Sequence, residues 1–230
     1  MNELRKIRLV GDNISLDILE RIFKSGDMYI FSEIHCKQKL FFMKSKSFEN
    51  LDEKELRKTG NELLKKINSI CCFVKGNYTP VKIDNVYIGD CGYNSFEEHL
   101  TIRDDCYIIE NGNKKDFDED TILEIYSKIN NDRLLNDIMA LLFEKGTDWV
   151  NLYRILDSFG DKKLISCEWI TKKDLRLLKH TANSPGAIGN EARHGSQDNI
   201  APSKPMLLNM AQVLVKKIIW HYIESLDKEL

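Results

Sequence analysis

The sequence predicts an α+β fold, with an N-terminal antiparallel sheet and packed helices followed by an all-helical C-terminal part. Three observations carry this expectation. Short apolar runs with period-two alternation recur before about residue 110. One long run at helical spacing, from Leu56 through Leu63, Ile67 and Ile70 to Val74, interrupts them. From Thr121 onward the spacing is helical throughout.

Taken in order, residues 6–10 predict a strand that ends at Gly11-Asp12. Ser15 is the expected cap of a helix carrying Leu16, Ile18, Leu19, Ile22 and Phe23 on its apolar side. Residues 28–33 and 39–44 are two aromatic-rich strands, with only a weak turn signal between them. Leu51-Asp52 opens the long helix and Gly76-Asn77 stops it. After Pro80 the alternation of Val81 with Ile83, Val86 with Ile88, and Leu100 with Ile102 predicts a meander, which the apolar run 106–109 continues. Asp84-Asn85, Gly89-Asp90 and Asp104-Asp105 are its expected turns.

The helical part begins with Ile122, Ile125, Tyr126 and Ile129, and breaks at Asn130-Asn131-Asp132. Gly146 and Gly160 stop the next two helices, Thr147 or Asp148 caps one, and Thr171 with Asp174 caps a further one. The last helix, after Pro205, is apolar nearly all round. That pattern predicts burial in the core or in a homo-oligomer seam formed by this C-terminal helix. The expected division is an α+β sensing or binding domain at 1–115 and a helical domain at 116–230.

Composition narrows the classes. A hydrophobic fraction of 42% and a charged fraction of 30% are those of a globular chain, so extensive disorder is not expected. The net charge of -2 argues against strong nonspecific nucleic-acid binding by the whole molecule, and leaves room for a local basic surface. Such a surface is visible in the sequence, because from residue 146 twelve basic residues face ten acidic ones. No run reads as a signal peptide or a membrane span, so a cytoplasmic protein is expected. None of the six cysteines forms a C-x-x-C pair, and His35, His99 and His221 have no carboxylate or cysteine partners at ligand spacing. Neither a metal nor a cofactor is expected.

The polar stretch 179–206 concentrates the candidate chemistry and holds three of the four prolines. A loop this long between helices is ordinarily functional or disordered. Arg193 and His194 are adjacent at its centre. A histidine moves protons near neutral pH, and an arginine holds phosphate or stabilises charge developing on it. They are the expected catalytic pair, against a bland reading in which Arg193 pairs with Glu191 and His194 satisfies a loop carbonyl. Lys172, Lys173, Arg176, Lys179, His180, Asn183, Asn190 and Glu191 are the expected substrate-binding residues. Helix-dipole complementation is the simpler account of Lys179 and His180.

The run T-A-N-S-P at 181–185, then G-x-E-A-R-H-G at 189–195, then Pro202, Pro205, Met206 and Leu208, resembles the C-terminal region of a group of uncharacterised bacterial proteins. More distantly, a helical region with an Arg/His motif in a polar turn is similar to HEPN domains, in which the histidine follows the arginine by several residues. This resemblance implies RNA binding or metal-independent RNA cleavage in a bacterial defence or toxin system. The alternative expectation is a non-catalytic module whose 179–206 loop binds a protein or an anionic ligand.

Overall fold

The computed structural model describes residues 4–75, 78–89, 91–94, 119–193 and 200–227. His194, the segment 95–118 with its two expected strands, and the Asp104-Asp105 turn lie outside the described residues. The chain divides into two compact units. Described residues up to 94, together with 119–127, belong to the first, and 128–227 to the second. The fold is α+β, as the change of period predicts.

In unit 1, strands β1 (Arg5–Val10), β2 (Met28–His35), β3 (Gln38–Ser45), β4 (Lys82–Ile88) and β5 (Cys91–Asn94) form one antiparallel sheet in the order β2-β3-β1-β4-β5. Helix α1 (Asn13–Ile22) follows β1 and helix α2 (Glu53–Val74) follows β3. Asp12, not Ser15, caps α1: its side chain accepts from the Ser15 N–H. Ser15 is instead buried, and its hydroxyl accepts from the Thr79 N–H at 3.0 Å. Asp52 and Glu55 form a full capping box at the start of α2. The core gathers Ile7, Leu9, Ile30, Phe41, Met43 and Val86 from one sheet face with Leu16, Leu19, Leu56, Ile67 and Ile70 from the helices.

One local expectation is corrected. Asp84-Asn85 is not a turn, because β4 runs straight through it. Ile7 pairs with Val86 and Leu9 with Ile83, so two steps on β1 face three on β4. The extra residue is a bulge, and it moves the apolar phase from Val81 and Ile83 to Val86 and Ile88. The phase slip that looked like two strands is one bulged strand. β1 lies between β3 and β4, so the first strand is central, and β4 pairs antiparallel with β5, the strand that follows it in sequence.

The hairpin joining β2 to β3 closes on Cys36 and Lys37, with φ of 47° and 67°. Tight two-residue hairpins need both central residues in this left-handed region, which Asn-Gly occupies readily. Cys-Lys does so at a cost, so the sequence carries little turn signal.

Unit 2 holds the end of α3 (Glu119–Asn131) and the helices α4 (Arg133–Lys145), α5 (Trp149–Phe159), α6 (Asp161–Ser166), α7 (Lys172–Ala182), α8 (Pro185–Ile188) and α9 (Leu208–Ser225). Asp132, Asp148 and Thr171 cap α4, α5 and α7 through their side chains. Gly146 and Gly160 close α4 and α5 at φ of 72° and 77°, where a glycine avoids the strain of a Cβ. The core collects Leu135, Ile138, Leu152, Ile155, Leu156, Leu164 and Leu178 around Val215, Ile218, Ile219 and Tyr222 of α9. Tyr222 packs edge-on against Phe159 and Trp169 and donates its hydroxyl to the Asp132 carboxylate at 3.0 Å. Among the described residues no helix is long and apolar enough to cross a membrane.

Candidate functional site

The stretch 179–206 is not one long loop. Its first residues complete α7, Pro185 opens α8, and Gly189–Glu191 is a 3-10 turn. Pro185 suits a first helical turn, where its missing N–H costs no hydrogen bond.

Three bonds tie the rest of the stretch to the last turn of α7. The His180 Nε2 lies 2.8 Å from the Ile200 carbonyl, which only accepts, so the ring N–H donates. The Thr181 hydroxyl accepts from the Met206 N–H at 3.1 Å. The Ala182 carbonyl accepts from the Arg193 N–H at 2.9 Å. Consecutive residues 180, 181 and 182 therefore fix 200, 206 and 193. Thr181 and Ser184 are fully buried, with the Ser184 hydroxyl donating to the His180 carbonyl at 2.8 Å.

Arg193 points onto α5. Its guanidinium carbon is 4.2 Å from the Tyr153 ring centroid, and a terminal nitrogen is 3.9 Å from Asp157. Lys179 shares the same ring at 4.9 Å and pairs with Asp157 at 2.8 Å and Asp161 at 2.6 Å. Burial pulls the Lys179 ammonium down, and the two carboxylates more than offset it, so its pKa lies above the ordinary lysine value. Tyr153 and Asp157 stand one turn apart on α5, and Asp161 opens α6. None of these three is among the residues that the sequence singles out for the site. The i, i+4 spacing of Tyr153 and Asp157 was a signal, but nothing local links it to residue 193.

The other expected residues fall in two groups. Lys172, Lys173 and Arg176 are exposed on the N-terminal half of α7 and make no ion pair among the described residues. His180 extends this face at one helical turn beyond Arg176. Asn183 is the C-cap of α7, and its side-chain oxygen is buried without a hydrogen-bond partner among the described residues. Asn190 and Glu191 lie exposed in the 3-10 turn.

The arrangement offers a cluster of cations without an ion pair among the described residues at the N-terminal end of α7, and an arginine placed against Tyr153 and Asp157 near its C-terminal end. Cations in a helix's first turn oppose the helix dipole, so Lys172 and Lys173 do not serve helix stability. The positive helix end and the two ammonium groups together favour an anion there. Among the described residues no group of three His, Cys, Asp or Glu side chains is placed to hold a metal. No family model, curated protein or solved structure matches this chain.

Proposed function

We propose that the helical unit binds RNA along the exposed face of α7 and presents Arg193 and His194 to the phosphodiester backbone. The observation that carries this reading is the exposure of Lys172, Lys173 and Arg176 on one helix face without a carboxylate partner among the described residues. Phosphate contacts of this kind supply affinity without sequence preference. In the cleavage step, His194 takes the proton of a ribose 2'-hydroxyl, and the resulting oxygen attacks the adjacent phosphorus. The 5'-oxygen leaves and takes a proton from solvent. Arg193 offsets the negative charge that builds on the phosphorus oxygens. The resemblance to HEPN domains is what would place such an activity in bacterial defence or toxin systems.

The test is cleavage of end-labelled RNA in chelator by the wild type, Arg193→Ala and His194→Ala, with thermal melts beside it. Activity lost in both variants at an unchanged melting temperature supports the reading. Cleavage persisting in both excludes the pair.

A second reading has its own support. Lys179 is neutralised by two carboxylates, and Arg193 is held by Tyr153 and Asp157, which is how structural cations are held. On that reading unit 2 is a non-catalytic module that binds an anionic ligand. Wild-type protein that binds RNA without cutting it, and loses binding with Lys172, Lys173 and Arg176, would favour it.

A further inference from the structure

An antiparallel sheet packed on helices through one face ordinarily turns polar side chains to water on the other. The sheet of unit 1 departs from this. Opposite its core face, Tyr29 and Phe31 of β2, Phe42 of β3 and Tyr87 of β4 form a continuous aromatic row. Successive ring centroids lie 5.7, 5.7 and 5.8 Å apart. The pairing of Phe31 with Phe42, and of Phe42 with Arg8, shows that one register line crosses three strands.

Cations are interleaved with the rings. Lys6 Nζ lies 4.1 Å from the Phe42 centroid and Lys44 Nζ lies 5.0 Å from that of Phe31. Arg8 follows Lys6 by two on the same face, and Lys82 is paired in register with Val10. Two carboxylates answer them: Glu33 holds Lys6 at 2.8 Å and Asp84 holds Arg8 at 3.2 Å. Lys44 and Lys82 make no ion pair among the described residues. Phe42, at 2% exposure, is the floor of the row, while Tyr29, Phe31 and Tyr87 keep part of their surface in solvent.

The chemistry of this face selects its ligand. A wholly apolar partner would strip water from Lys44 and Lys82 without replacing it. A small anion would leave the rings unused. A chain of flat apolar groups joined by anionic linkages uses both. We propose that this face binds single-stranded RNA, with bases against Tyr29, Phe31 and Tyr87 and phosphates at Lys44 and Lys82. Unpaired bases are required, because stacking on side-chain rings needs bases free of a duplex. The site belongs to unit 1 and does not rest on the α7 stripe.

The test uses the full chain carrying Lys172→Ala, Lys173→Ala and Arg176→Ala, which removes that stripe. Fluorescence anisotropy follows a labelled oligouridylate of about twelve nucleotides, a length within the range one such platform covers. Binding is expected to persist in this background and to weaken by about tenfold or more with Phe31→Leu or Tyr87→Leu. Lys44→Ala with Lys82→Ala should weaken it and flatten its salt dependence. An RNA duplex should compete poorly. Complete loss of binding in the background protein overturns this proposal and favours the α7 surface. Ring variants within about twofold of the background overturn it too, as does equal competition by duplex. Should a ring variant melt early, the lysine pair decides: unchanged affinity there rejects the proposal, and weakened affinity that a duplex does not reproduce supports it.

Discussion

The guanidinium carbon of Arg193 lies over the Tyr153 ring, 4.2 Å from its centroid. The contact joins the candidate arginine to α5, a helix forty residues earlier in sequence, and holds it where Asp157 is 3.9 Å away. A partly exposed cation–π contact is worth about 0.5–1 kcal/mol. Tyr153→Leu is therefore expected to lower the melting temperature only slightly while releasing the guanidinium. RNA affinity or cleavage should fall several-fold, by about the same free energy. Tyr153→Phe keeps the ring and should behave as wild type. Equal activity in the Leu and Phe variants would show that the ring does not position Arg193.

Cys36 and Lys37 hold the β2–β3 turn in the left-handed region, at about 1–2 kcal/mol for each residue that is not glycine. Replacing the pair by Asn-Gly should stabilise unit 1 by about 1–2 kcal/mol. Urea denaturation should show a higher midpoint at an unchanged slope. A lower midpoint would mean that the Cys-Lys side chains make contacts worth more than the backbone strain.

That turn shows where legibility ends. Most helix boundaries set by one residue were readable: Asp52, Asp132 and Thr171 cap through their own side chains, and Gly146 and Gly160 stop helices by their backbone freedom, whereas at α1 two residues could cap and Asp12 does so in place of Ser15. Features set by a distant partner were not. The phase slip at Asp84-Asn85 becomes a bulge only because β1 pairs alongside, and Arg8 then reaches Asp84. The candidate site divides in the same way. The basic face of α7 follows from helical spacing alone. The Tyr153, Asp157 and Asp161 cluster depends on packing that brings α5 and α6 against Lys179 and Arg193.

Asn68 is a buried hydrogen-bond hub. Its amide donates to the Val81 carbonyl at 2.8 Å, and its oxygen accepts from the Val81 N–H at 3.1 Å and the Tyr78 hydroxyl at 2.6 Å. These bonds tie the chain after α2 back onto the helix as it enters β4. Asn68→Leu removes them and leaves three buried polar groups unmet, at about 1–3 kcal/mol each before relaxation. A loss of about 3 kcal/mol or more is expected in chemical denaturation. A loss below about 1 kcal/mol would show that solvent reaches these groups.

Glu33 supplies a pH test. Its hydrogen bond to Lys6 is the main cause that holds its carboxyl below the ordinary glutamate value. Burial opposes this and His35 adds to it. A depressed folded pKa means that the contribution to stability is complete above the unfolded value. It is lost as pH falls through the folded one. Glu33→Gln should therefore destabilise the protein at neutral pH, and the difference from wild type should close in acid. Melting curves of both proteins from neutral pH into that acid range check the sign. A difference that is constant with pH would show that the carboxylate charge contributes nothing.

The last helix separates core from surface within two turns. Ile218 is 0% exposed and Val215 1%, whereas Leu207 and Met210 are 63% and 57% exposed and Leu214, on their stripe, is half-buried. The near-uniform apolarity of α9 thus has two parts, and burial in the core accounts for only one. Ile218→Asp places an unpaired charge in the core and should abolish folding. Leu214→Asp sits at the margin and should leave a folded protein with a modestly lower melting temperature. If the exposed stripe is the seam of a homo-oligomer, the wild type sediments as an oligomer and Leu214→Asp as a monomer, with the circular-dichroism spectrum unchanged. A wild type that sediments as a monomer at high micromolar concentration would remove the seam. Leu207 and Met210 would then be ordinary exposed apolar residues, a pattern that needs no partner.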